Sequence, residues 1–66
     1  MAACFKEAAV AYKQAIRLKP DHARAHLGLG IAYVVLGDKA AALEEYRILQ
    51  TLDKEKASVL FNGIYK

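Results

Sequence analysis

The residues of this chain that could do chemistry are few and lie far apart. His22 and His26 are four residues apart, a spacing that can place two zinc ligands on one face of a helix. A zinc site needs three or four protein ligands, and the single cysteine, Cys4, is distant in the sequence. One serine and one threonine, neither beside a histidine, leave no nucleophile–base pair. The sequence therefore predicts no metal site, no cofactor and no catalytic site, and we expect no enzyme.

The composition is that of a small helical protein. The chain has 66 residues, 56% of them hydrophobic, and alanine is the largest contributor. Alanine is the best helix former, and the single proline and scarcity of serine and threonine argue against a β-sandwich or a disordered chain. A chain this short without a disulfide is marginally stable unless its helices pack well or copies associate. We therefore expect an all-α fold and predict a homo-oligomer.

The net charge of +3 comes from the first 20 residues, where four basic side chains accompany only Glu7. Because these side chains are spread along one predicted helix, a solvated helix face is favoured over a nucleic-acid patch. The uncharged run at 27–36 is too short to span a bilayer, which needs about 20 residues. The start of the chain lacks the pattern of a secretion signal. We therefore expect a cytoplasmic protein that binds neither membrane nor nucleic acid.

The spacing of apolar residues predicts four helices joined by short turns. Pro20 ends the first helix, and Asp21 is the predicted N-cap of the second. Gly37 and Asp38 form the turn before the third helix. Asp53 opens a short polar link before the last helix, which is shorter than the others. The predicted helices cover about residues 3–19, 22–36, 39–52 and 56–65.

The chain repeats itself at an offset of 34 residues. At this offset Ala8 falls on Ala42, and Tyr12 falls on Tyr46. A helix–turn–helix unit of this length is typical of tetratricopeptide repeats. The chain resembles that family in motif residues on three helices: Leu18, Lys19 and Pro20 at the end of the first, His26, Leu29, Gly30 and Tyr33 on the second, and Ala42 and Tyr46 on the third.

The resemblance implies a TPR-like α-solenoid of antiparallel helices. It divides the chain into the second half of a repeat at 3–22, one full repeat at 23–56 and a capping helix at 57–66. Lys54 stands where the family has a closing proline, which leaves the junction into the last helix less rigidly set. Gly63 stands where the offset predicts leucine. We therefore count one full repeat between two half repeats, fewer than the roughly three that such arrays need for stability.

The resemblance also implies a non-catalytic protein–protein interaction module with a concave groove. Four branched aliphatic residues of the second helix share one stripe with a basic residue at its rim, and the opposite stripe turns onto the paired helix. An exposed apolar stripe favours an interface with a peptide or a second copy, although the first and last helices could cover it and make it core. A carboxylate clamp is not expected, because the stripe lacks the lysines and asparagine for it. The predicted partner-binding residues are Arg24, Leu27, Ile31, Val34, Val35, Phe61 and Tyr65.

An alternative function is nucleic-acid binding through a helix-turn-helix, because two helices meet at a glycine turn in a basic protein. The recognition helix would begin at Lys39 and would present Glu44 and Glu45 to the DNA. Phosphate contacts need several lysines or arginines on that helix. The sequence therefore favours the interaction module over a nucleic-acid-binding protein.

Overall fold

The computed structural model describes residues 2–65, which form four α-helices and, within this range, no strand. The prediction of an all-α fold is confirmed. The third helix has its predicted bounds, the first two differ from theirs by one residue at one or both ends, and the fourth begins two residues early. The helices are α1 (Ala2–Leu18), α2 (Ala23–Leu36), α3 (Lys39–Leu52) and α4 (Lys54–Ile64).

The turn between α1 and α2 is closed by His22 and not by Asp21. The His22 amide donates to the Lys19 carbonyl at 3.0 Å, and the His22 Nδ1 accepts from the Ala25 amide at 3.2 Å. The turn around Pro20 therefore ends one residue later than predicted, and the His22 side chain accepts from a free amide at the start of α2. The predicted Asp21 cap is wrong for this reason.

Gly37 and Asp38 form the turn between α2 and α3, as predicted. Gly37 has a φ of 84°, in the left-handed region that favours glycine, and closes α2. The Asp38 side chain accepts from the Ala41 amide at 3.1 Å and starts α3. Because the connection is only two residues long, α3 runs back alongside α2.

A single residue, Asp53, joins α3 to α4. Its amide donates to the Leu49 carbonyl at 2.7 Å, which completes α3. Its carboxylate accepts from the amides of Glu55 and Lys56 at 3.1 and 3.2 Å, which starts α4. The predicted polar link is therefore wrong, because Asp53 caps both helices at once. By comparison, four residues separate α1 from α2.

Two hydrophobic clusters hold the helices together. The first joins α1 to α2 around Ala9 and Leu29. The second joins α2, α3 and α4 around Leu49 and Leu60, which are both completely buried. Gly30 of α2 leaves the space that the Leu60 side chain occupies. The core thus runs from α1 through α2 to the pair α3 and α4.

The α2 stripe opposite the predicted groove contacts three helices and not one. His26 bonds to α3, Leu29 packs against α1, and Gly30 lies against α4. The expectation that the whole stripe turns onto the paired helix is wrong, because α2 lies between the other three helices. Within residues 2–65, no helix combines the length and the apolarity that crossing a membrane requires.

Candidate functional site

The predicted apolar stripe of α2 is divided between the core and the surface. Leu27 and Val34 are half-buried and pack against the cluster around Leu60. Ile31 and Val35 remain 39% and 48% exposed. Helix α4 therefore covers one half of the stripe and leaves the other half open. Arg24, in the first turn of α2, is exposed.

A groove of about 690 Å³ lies beside the open half of the stripe. Val59 of α4 lines it with 54% of its surface exposed. Gly63 also lines the groove and has no side chain to fill it, since a Cβ atom placed there would meet nothing within 4 Å. Three of the predicted partner-binding residues line this groove, and α4 adds three that the sequence did not predict. The lining residues are Ile31, Val59, Phe61, Asn62, Gly63 and Tyr65.

The residues that the prediction missed lie on a side of α4 that no described helix covers. At the offset of 34, Val59 corresponds to Ala25, yet Val59 is 54% exposed and Ala25 only 2%. At the same offset the completely buried Leu60 corresponds to the buried His26, so the 34-residue register continues into α4. Val59 is exposed because α4 packs only against α2 and α3, whereas α2 lies against three helices.

The side of α4 that faces inward carries Ala57, Leu60 and Ile64, at the spacing of an apolar helix face. One sequence signal pointed to the early start of this helix. Asp53 has the side chain of an N-cap residue, and it caps α4 directly after α3 ends.

Two aromatic residues at the C-terminal end of α4, Phe61 and Tyr65, lie close to α3. The ring centroid of Phe61 lies 5.3 Å from that of Tyr46 and 4.8 Å from that of Tyr65. We call these three rings the aromatic row. The Nζ of Lys39 lies 4.4 Å from the centroid of the Tyr65 ring. Phe61 also lines a second cavity of about 240 Å³, whose lining residues are Tyr46, Gln50, Lys54, Ala57, Ser58 and Phe61.

A buried histidine–glutamate pair ties α2 to α3. His26 Nδ1 lies 2.7 Å from Glu45 Oε1, and His26 Nε2 lies 2.8 Å from the Pro20 carbonyl oxygen. Because a carbonyl oxygen only accepts, Nε2 carries a proton and donates it. His26 and Glu45 are 4% and 9% exposed. Both ring nitrogens of His26 are therefore used to hold α2, α3 and the preceding turn together.

The arrangement of the two histidines does not form a metal site. His22 caps α2 through Nδ1, whereas His26 bonds to Glu45 and to the preceding turn. Among residues 2–65, no three side chains of histidine, cysteine, aspartate or glutamate are grouped closely enough to hold a metal ion. Cys4 is a free, exposed thiol.

Asp53 has a perturbed acidity at the junction of α3 and α4. The Lys56 ammonium, 2.9 Å from the Asp53 carboxylate, donates a hydrogen bond that lowers the pKa of that carboxyl below its usual value. The amides of Lys56 and Glu55 act in the same direction. The carboxylate that caps α4 is thus held in its charged form, which is the form that accepts hydrogen bonds from helical amides.

A comparison with known families matches most of the chain. The family model for the tetratricopeptide repeat matches residues 5–57, a range that includes most of α1, all of α2 and α3, and the first turn of α4. Neither the curated proteins nor the solved structures contain a match to the chain. The resemblance inferred from the motif residues is confirmed.

Proposed function

We propose that this chain, which belongs to the tetratricopeptide-repeat family, is a non-catalytic protein–protein interaction module. Its partner is a peptide or a second copy of itself, bound in the apolar groove between α2 and α4. The observation that carries the proposal is the exposure of Ile31, Val35 and Val59 on these two neighbouring helices. Aliphatic side chains grouped on a surface are typical of an interface.

The seven predicted partner-binding residues divide by exposure. The exposed ones contact the partner, whereas the half-buried Leu27 and Val34 hold α2 in place beneath the groove. Val59 joins the contact residues, because it is more exposed than Ile31 and lines the same groove. The proposed contact residues are Arg24, Ile31, Val35, Val59, Phe61 and Tyr65.

The proposed organisation is a full repeat at 23–56 between half repeats at 3–22 and 57–66. The helix–turn–helix of α2 and α3, closed by Gly37, supports the full repeat. A cytoplasmic location is part of the proposal, and the exposed thiol of Cys4 suits a reducing compartment.

The proposal is tested by measuring the mass in solution over a dilution series, by light scattering, for the full chain and two variants. Ile31→Glu places a charge in the groove and should abolish any self-association while circular dichroism keeps its helical signal. Val10→Glu is the matched control, since Val10 is a 57% exposed aliphatic residue of α1 outside the groove. It should associate like the unmodified chain.

The outcomes separate the two partners. A mass that rises with concentration and falls back to the monomer only in Ile31→Glu supports self-association through the groove. A monomer at every concentration rules out the second copy and leaves a peptide as partner. Unfolding of Ile31→Glu, with Val10→Glu intact, would place Ile31 in the core and contradict the proposal.

A further inference from the structure

We infer that above about pH 7 the folded chain holds one proton more than the unfolded chain, and that this proton lies between His26 Nδ1 and Glu45 Oε1. The buried pair thus makes the attachment of α2 to α3 sensitive to alkaline pH. The inference goes beyond the proposed function and does not depend on it. It rests on the two hydrogen bonds of the His26 ring, on the burial of the pair and on the positions of the other charges.

Both nitrogen atoms of the His26 ring make short contacts. Nε2 lies 2.8 Å from the Pro20 carbonyl oxygen, which only accepts, so Nε2 holds one ring proton. A neutral imidazole has no further N–H, so its Nδ1 would carry a lone pair. A neutral ring bonded to Pro20 in this way therefore cannot donate to Glu45.

The contact between His26 Nδ1 and Glu45 Oε1 requires a second proton. The two atoms are 2.7 Å apart, the distance of a charge-assisted hydrogen bond. A lone pair on Nδ1 and an ionised carboxylate, which only accepts, would repel each other at this distance. One proton therefore lies between them, either on Nδ1 beside a carboxylate or on Oε1 beside a neutral ring. Both arrangements give the pair the same number of protons.

Burial makes this shared proton matter for stability. His26 and Glu45 are 4% and 9% exposed, so water has little access to the contact. Loss of the proton would leave an unpaired acceptor facing a negative charge, which is unfavourable in a protein interior. In an unfolded chain above about pH 7, histidine is mostly neutral and glutamate is ionised, so the same two side chains hold one proton fewer. Folding therefore takes up one proton in this pH range.

The charges around the pair do not replace the shared proton. Within residues 2–65, Glu45 is the one acidic side chain within 4.0 Å of the His26 ring nitrogens, and no lysine or arginine lies within 4.0 Å of Glu45. From α1, apolar side chains and Tyr12 pack against α2. The ionisable neighbours along α2, α3 and α4 have local partners of their own: His22 with the Ala25 amide, Glu44 with Arg47, and Lys56 with Asp53.

The pair connects three parts of the fold. Glu45 belongs to α3, His26 to α2, and Pro20 to the turn that follows α1. Helix α2 also carries Ile31 and Val35, the exposed half of its apolar stripe. Loss of the shared proton would therefore weaken the attachment of α2 to α3 and to the turn, and with it the α2 side of the groove.

The test is urea unfolding of the full chain and two variants, followed by circular dichroism between pH 7 and pH 9. One proton taken up on folding raises the unfolding equilibrium constant by up to about tenfold for each pH unit. Glu45→Gln removes this dependence, because the glutamine amide can donate to a neutral His26 ring while Nε2 still donates to Pro20. Its unfolding constant should change by less than about twofold per pH unit, since groups such as Cys4 titrate equally in both chains.

His22→Asn is the matched control, because it removes the other histidine. Asparagine is a favourable N-cap residue and can accept from the Ala25 amide as His22 Nδ1 does. This variant should therefore stay folded and keep the pH dependence of the unmodified chain.

Nuclear magnetic resonance of the 15N-labelled chain at neutral pH locates the proton independently. We expect a low-field signal from a proton in the hydrogen bond at His26 Nδ1. No such signal should come from His22 Nδ1, which accepts from a backbone amide. The measurement needs no variant, so it decides the case if Glu45→Gln does not fold.

The other outcomes overturn the inference. Equal pH dependence in the unmodified chain and in Glu45→Gln would assign the dependence to other groups. An unmodified chain whose stability does not change between pH 7 and pH 9 would mean that the folded pair holds no additional proton. Loss of the dependence in His22→Asn would assign the proton to His22. Absence of the proton signal at His26 Nδ1 would contradict the shared proton directly.

Discussion

Two helical glycines, Gly30 and Gly63, should respond in opposite directions to substitution by alanine. A Cβ atom at Gly30 would lie 2.5 Å from a methyl carbon of Leu60, and Leu60 is completely buried, so it has no space to move away. A Cβ atom at Gly63 would meet nothing within 4 Å. The pair therefore tests where α4 lies against α2.

The magnitudes follow from two opposing effects. Alanine in place of glycine in a helix interior contributes about 1 kcal/mol through helix propensity. Gly63 is in the last turn of α4, so Gly63→Ala should stabilise the fold by about 0.5–1 kcal/mol. In Gly30→Ala the gain is opposed by overpacking against Leu60, which is unfavourable by about 1–3 kcal/mol. We expect Gly63→Ala to be the more stable variant by about 1–3 kcal/mol.

The assay is thermal unfolding followed by circular dichroism, at one protein concentration for all variants. For a domain of this size, each kcal/mol shifts the Tm by about 4–8 °C. Gly63→Ala should melt above the unmodified chain and Gly30→Ala at or below it. If Gly30→Ala melts as high as Gly63→Ala, Leu60 does not lie against Gly30, and the described placement of α4 is incorrect.

Three further predictions concern the buried histidine–glutamate pair, the Asp53 cap and the groove residue Val59. Glu45→Ala leaves His26 Nδ1 buried without its partner and should lower the free energy of unfolding in urea by about 1–3 kcal/mol, more than Glu45→Gln does. Lys56 lowers the pKa of the Asp53 carboxyl. The charged Asp53 carboxylate therefore stabilises the fold above about pH 4, and this stabilisation is lost as the pH falls through the lowered pKa. Melting curves from pH 6 to 2 should therefore fall more steeply for the unmodified chain than for Asp53→Asn. Val59→Lys should change stability by less than about 0.5 kcal/mol, and a large loss would mean that Val59 is buried like Ala25, its counterpart in α2.

The parts of the fold that depend on local chemistry could be predicted from the sequence. Gly37 and Asp38 have clear roles as C-cap and N-cap, so the end of α2 and the bounds of α3 were correct. The cap of α2 was not, because Asp21 and His22 can both accept hydrogen bonds, and the choice depends on how the turn after Lys19 folds. The path of the backbone through the turn decides which residue caps the helix, and the residue types alone do not indicate that path.

The candidate site, too, could be predicted only in part from the sequence. Projection onto a helix placed Ile31 and Val35 on one side of α2, and both are exposed. It could not tell that Leu27 and Val34, on the same stripe, are covered by α4. That outcome depends on the rotation of a neighbouring helix, which periodicity within α2 does not contain. Phe61 and Tyr65 were predicted to bind the partner as residues of the last helix, and they line the groove, yet their rings also lie close to α3.

The surroundings of α4 determine which of its residues reach the groove. At the offset of 34, the inward-facing Leu60 occupies the position where α2 carries the buried His26. Helix α2 lies against three helices, whereas within residues 2–65 α4 packs only against α2 and α3. The position that is buried in α2 as Ala25 is therefore exposed in α4 as Val59, which lines the groove. The side of α4 that no described helix covers is thus the side that faces the groove.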